Sequence, residues 1–163
     1  MKKIKPKKGQ ESVWDYPRPP KLEQTNKHLV IEFGGIRLAE TNAAYRVLET
    51  SHPPVYYLPQ SDIQMEHLQL SDVRSSFCEF KGAAVYWDII TPKKEILKAA
   101  WSYPEPSFDF LDIREYIAFY ASKMDACYVD GELVKAQEGD FYGGWITSDI
   151  VGPFKGGQGT WGW

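Results

Sequence analysis

Phe77-Cys78-Glu79-Phe80-Lys81-Gly82-Ala83-Ala84-Val85-Tyr86-Trp87-Asp88-Ile89 reads as two strands meeting at a turn, and the reading of the fold grows from it. The predicted strands cover 76–80 and 83–90, joined at Lys81-Gly82. β-Branched and aromatic residues suit a pleated, half-buried surface. The period of two points Trp87 away from the face that carries Tyr86. Buried sheet seldom tolerates lysine or glutamate unless they face water, each other or a ligand. The segment is therefore expected to form the wall of a pocket as well as part of a core. Lys81 stands at its mouth, beside a glycine that lets backbone approach closely.

Working outward, the same pattern recurs. Leu29–Phe33 and residues 36–40 flank Gly34-Gly35, a two-residue hairpin connection. Residues 43–48 fit either a short helix or a strand. Residues 55–58 form a strand that Pro59 ends. Ser61 followed by Gln64 matches a capping box and predicts a short helix over 62–68. A strand over 95–103 follows the Pro92-Lys93-Lys94 turn, and another over 116–120 follows a proline-rich loop. Residues 127–129 and 133–136 enclose Asp130-Gly131-Glu132, and Asp-Gly between apolar runs is a strong hairpin signal. Meandering strands with one or two short helices give a mainly β fold of antiparallel strands.

The 163 residues suffice for one domain with a real core, and six Trp and ten Tyr suit a small sheet protein or a ring-lined pocket. Residues 1–8 hold five lysines and no acids, which leaves 14 basic against 22 acidic residues for the remainder. That acidic body argues against the broad phosphate footprint of a nucleic-acid binder. Cys78 and Cys127 are the only cysteines, with no CxxC pair, so no metal site and no cofactor are expected. Two thiols suit a reducing cytoplasm better than a disulfide framework. No apolar run reaches membrane-spanning length, and the lysine-rich start is not followed by an apolar signal core. A soluble, cytoplasmic protein is the expectation; a homodimer is compatible with it.

Several residues together carry a resemblance. Tyr57-Leu58-Pro59 with Asp62-Ile63, Cys78-x-x-Lys81-Gly82-x-Ala84-x-Tyr86, Trp101-x-Tyr103-x-x-Pro106 and Phe119-Tyr120 occur in order. From about residue 27 to the C-terminus the chain resembles the bacterial domain-of-unknown-function family 427. The strings Glu49-Thr50-Ser51-His52-Pro53-Pro54 and Phe141-Tyr142-Gly143-Gly144-Trp145 look like one subgroup of it. The resemblance implies a small β-tent, similar to Mss-four-like proteins and to methionine sulfoxide reductase B. Composition sets the expected limits around it: residues 1–27, lysine- and proline-rich, form an extended arm, 28–138 the β-tent domain, and 139–163 a Gly/Trp-rich strap of the same domain. The family sometimes carries a nucleotidyltransferase label. That chemistry needs paired carboxylates near a Gly-Gly or Gly-Ser turn, whereas Gly143-Gly144 is followed only by Asp149 and Gly34-Gly35 only by Glu40.

The candidate ligand-binding residues are Tyr57, Lys81, Tyr86, Trp101 and Tyr103. Lys81 could pair with a phosphate or carboxylate, or could be a solvated turn lysine. Rings of this kind stack on flat ligands, or simply pack a core. Cys78 and Lys81 are the weak catalytic candidates. A bulge could bring thiol and ammonium together, but regular alternation places them on opposite faces, and a small buried thiol is the commoner fate. His28, His52 and His67 lack metal-ligand spacing and are expected at the surface. Residues 152–157 lack the order of a phosphate loop. The expected function is binding of a small anionic or flat molecule in an aromatic-lined pocket. The competing reading is a non-catalytic interaction module that docks through its arm and its Gly/Trp tail.

Overall fold

The computed structural model describes residues 1–72, 81–139 and 141–163 in full and the backbone of 76–78. Its main sheet has the long Gly82–Ile90 strand near its middle. Glu95–Ser102 pairs with it on one side and carries Ile117–Phe119 at the outer edge, while Leu68–Leu70 and Ser76–Cys78 pair along the other side. All of these pairings are antiparallel. A second sheet has the order Glu132–Leu133, Ala126–Val129, Leu29–Phe33, Ile36–Thr41. A third runs Lys21–Thr25, Ala44–Leu48, Val55–Tyr57, and Leu58 bridges to Ile117, tying it to the main sheet. The helical segments described are short 3-10 turns, and none is long and apolar enough to cross a membrane. The mainly β, antiparallel architecture is thus that expected.

Both hairpin signals act as their chemistry dictates. Gly34 and Gly35 have φ of 63 and 77, and Asp130 and Gly131 have φ of 48 and 82. Two successive positive φ values match the twist of the flanking strands. The ambiguous segment is a strand, Ala44–Leu48, because both its neighbours in the sheet are extended chains. Residues 133–136 are not one strand. Glu132–Leu133 closes the hairpin, and Lys135–Ala136 turns away to pair with Trp145–Ile146.

The helix expected over 62–68 is absent. Two separate 3-10 turns, Gln60–Asp62 and Met65–His67, replace it, with extended Ile63 between them and Leu68–Leu70 continuing as a strand. The local signal loses to the sheet edge. Ile63 bridges Ala39, the Gln64 N–H donates to the Leu38 carbonyl, and the Gln64 side chain donates to the Arg37 carbonyl. A capping glutamine cannot also reach back to its own turn.

Within residues 1–27 the chain is built into the sheets. Lys21–Thr25 forms the edge of the three-stranded sheet, and Glu11–Ser12 pairs in parallel with Ile150–Val151. Val13 and Tyr16 are buried with Leu48 and Ile150, and Trp14 packs edge-on against Trp163. Arg46, buried between Glu11 and Glu23, ties the segment down with hydrogen bonds of 2.8 and 2.7 Å.

The two faces of the main sheet differ. Ile89, Ala100, Ile117 and Phe119 join the largest apolar cluster with Leu29, Ile31, Leu38 and Trp145. Ala84, Tyr86, Trp101 and Tyr103 join a separate cluster with Tyr57, Phe110, Ile113 and Tyr120. The second cluster is the wall on which the site is built.

Candidate functional site

Register places the first rings. Tyr86 lies directly opposite Trp101 across the antiparallel pair, and Ala118 is opposite Trp101 on the far side. Residues two apart share a sheet face, so Ala84 and Tyr103 extend the same surface. Trp101 is held from two directions. Its Nε1 donates to the Tyr57 hydroxyl at 3.2 Å, and its ring lies 4.6 Å from that of Tyr120. Burial pushes the Tyr120 phenol up to about 12, with Tyr86 adding to the effect, so it stays neutral.

These rings form one wall of a cavity of about 490 Å³. Val47 and Val55 of the three-stranded sheet continue it. Lys81 enters from the turn before the long strand, and its ammonium lies 6.0 Å from the centre of the Phe110 ring. The turn is clamped: the Ser107 N–H donates to the Lys81 carbonyl at 3.0 Å, and a Cβ on Gly82 would lie 3.1 Å from the Glu105 carbonyl oxygen. With φ of 106 besides, residue 82 demands glycine.

Tyr57, Lys81, Tyr86, Trp101 and Tyr103, the residues expected to bind a ligand, therefore line one cavity. The Cys78 side chain and the 79–80 connection lie outside the described residues. The cavity also has polar lining outside the expected set: Glu49, His52, Gln137, Tyr142 and Lys155 form a polar rim. Four of these lie in the Glu49–Pro54 and Phe141–Trp145 strings or the glycine-rich tail, which sequence patterns mark without placing.

His52 corrects an expectation. Its side chain is 15% exposed and lines the cavity. The Glu49–His52 turn, closed by the His52 N–H on the Glu49 carbonyl at 3.0 Å, sets the two side chains together. Ser51 in this turn has φ of 73, a conformation uncommon outside glycine. Burial holds His52 down at about 4, Glu49 opposing and Lys155, Arg18 and Lys81 assisting. His28, with a side chain 39% exposed, meets the surface expectation and lies 2.6 Å from Glu40, whereas His67, at 19%, is half-buried beside Glu66 and the Ile90 carbonyl.

Charge at the rim is unbalanced. Lys81 and Lys155 line the cavity, whereas Glu49, the one acid doing so among the described residues, has Arg18 at 3.8 Å. Among the described residues no three His, Cys, Asp or Glu side chains converge to hold a metal ion. The carboxylates that follow the Gly-Gly turns in sequence, and Asp125, which meets Gly34, have other duties. Asp149 bonds Lys27 at 2.6 Å, Glu40 bonds His28 and Arg37, and Asp125 bonds Lys94 and the Gly34 N–H.

No curated protein matches the chain. The sequence profile of a family described as "Domain of unknown function (DUF427)" matches residues 21–130. That span contains the whole ring wall together with Lys81, Glu49 and His52, while Gln137, Tyr142 and Lys155 lie beyond it. From the order of its motifs and this match over most of its length, the chain belongs to the DUF427 family.

Proposed function

We propose that the protein binds a flat, anionic small molecule, whose plane rests on the wall of Tyr57, Tyr86, Trp101 and Tyr103 and whose charge meets Lys81 at the mouth. One observation carries the reading: a cavity of about 490 Å³ is lined, among the described residues, by seven Tyr, Trp and Phe rings, two lysines and one carboxylate. Its volume falls within the range of small-molecule sites, and apolar walls with a few polar groups are their usual make-up. A cationic ligand fits less well. The Lys98 ammonium lies 4.6 Å from the Tyr86 ring centre and Lys123 lies 5.1 Å from Tyr120, so cations already occupy those rings. Limited water access would strengthen the attraction of Lys81 for an anion.

The docking-module reading rests on exposed tryptophans. Trp161 is 89% exposed, but Trp145 is 1% exposed and donates to the Phe119 carbonyl from inside the core. Nucleotidyl transfer needs a pair of carboxylates, and among the described residues Glu49 is the one carboxylate lining the cavity.

The test is calorimetric titration with naphthoate and with naphthamide, its uncharged counterpart. Naphthoate should bind more tightly, and Lys81→Met should remove most of that preference. Equal affinity for the two probes, or an unchanged preference in Lys81→Met, would overturn the proposal.

A further inference from the structure

Gln137 is buried, and backbone groups of known polarity fix which way its amide points. The Gly144 N–H, which can only donate, lies 3.0 Å from Gln137 Oε1. The Lys155 carbonyl, which can only accept, lies 2.6 Å from Gln137 Nε2. The same Nε2 is 3.3 Å from His52 Nδ1. An amide nitrogen has hydrogens and no lone pair to offer, so His52 Nδ1 must be the acceptor. The ring proton then sits on Nε2. That N–H is 3.7 Å from Glu49 Oε2, beyond hydrogen-bonding distance, on a ring that lines the cavity.

We propose that Gln137 locks His52 as the neutral Nε2–H tautomer and that this N–H is a hydrogen-bond donor to an oxygen of the bound molecule. The donor role rests on the ligand-pocket reading above; the tautomer does not. A second proton on Nδ1 would need the Gln137 amide to turn over, setting its NH2 against the Gly144 N–H and its oxygen against the Lys155 carbonyl. The groups facing His52 favour the neutral ring as well. Among the described residues Lys155, Arg18 and Lys81 oppose a positive charge there, Glu49 supports one, and the Tyr142 ring packs at 5.4 Å. A neutral imidazole in a protein can polarise a carbonyl as a donor instead of acting as a base. In this site it would select ligands that present an acceptor oxygen, charged or not, while Lys81 selects for charge.

Heteronuclear NMR of the histidine ring nitrogens tests the tautomer in the unaltered protein. The expected result is a protonated Nε2 and a bare Nδ1 at neutral pH. A protonated Nδ1, or a mixture of tautomers, overturns the lock. Gln137→Glu, which replaces the donor by an acceptor, should bring the proton to Nδ1; an unchanged ring would also overturn it. Titration with naphthoate and naphthamide then separates the roles. His52→Phe should weaken both probes by about tenfold or more, since both carry an oxygen acceptor. Lys81→Met should weaken naphthoate alone. Unchanged affinities in His52→Phe overturn the donor role. If neither probe binds the native protein, the ligand reading and the donor role fall together, and the tautomer result stands or falls by its own spectrum.

Discussion

Gly143 lies directly against the edge of Trp101: a Cβ on residue 143 would sit 2.1 Å from Trp101 Cη2. The indole cannot yield easily, since Tyr57 and Tyr120 hold it. Gly143→Ala should therefore lift the loop carrying Phe141 and Tyr142 away from the cavity. The expected cost is about 1–3 kcal/mol, as for other overpacked positions, with a loss of naphthoate affinity. Chemical denaturation and calorimetry check both. Unchanged stability together with unchanged binding would show that the loop does not rest on Trp101.

Lys81 and Trp101 should separate binding from folding. Lys81→Met keeps much of the aliphatic stem, so stability should change by no more than about 1 kcal/mol. Naphthoate binding should fall by about 1.5–3 kcal/mol, the worth of a hydrogen bond to a charged group. Trp101→Ala removes wall and core together and should cost about 3–5 kcal/mol of stability. Unfolding of the Lys81→Met protein would make Lys81 a structural residue.

Gly131 tests conformation free of crowding. It has φ of 82, and nothing lies within 4 Å of a Cβ added there. Gly131→Val should still destabilise by at least ~1 kcal/mol, because a β-branched residue is strained at positive φ. An unchanged melting temperature would remove the hairpin argument.

Ser51 is the opposite case. It is fully buried at φ of 73, and its hydroxyl has no hydrogen-bond partner. Ser51→Gly should relieve backbone strain and raise stability by up to about 1 kcal/mol, with the His52 tautomer unchanged. A clear loss of stability in denaturant would instead reveal a needed serine contact.

His52 should make stability depend on pH in a defined window. Its folded value of about 4 lies below the ordinary 6.5, so the unfolded chain binds the proton more readily. The stabilisation is fully present above 6.5 and is lost as pH falls through about 4. It amounts at most to on the order of 3 kcal/mol. His52→Phe should flatten the stability profile in this window relative to the native protein. Parallel profiles from the two proteins would contradict the burial of a neutral ring.

Elements whose signals are local were legible along the chain. Asp130-Gly131 and Gly34-Gly35 turn tightly because φ is positive at both residues of each pair, a geometry that asparagine, aspartate and glycine tolerate best. Trp101 and Tyr103 could be assigned a shared face because a strand repeats every two residues, whereas the register that sets Tyr86 opposite Trp101 is a property of the folded sheet. The same local reasoning failed at Ser61-Asp62-Ile63-Gln64, where a capping pattern met a sheet edge. There the Gln64 N–H donates to the Leu38 carbonyl and Ile63 bridges Ala39, and no spacing rule reports so distant a partner. The polar rim was decided by tertiary structure alone. The Glu49–His52 turn, Gln137 and Lys155 lie far apart along the chain, and each side chain taken singly is an ordinary surface residue. They meet because the Glu49–His52 turn, the Lys135–Ala136 strand and the tail holding Lys155 pack around one cavity. Which nitrogen of His52 carries the proton depends on a glutamine 85 positions away, whose own orientation two backbone groups impose.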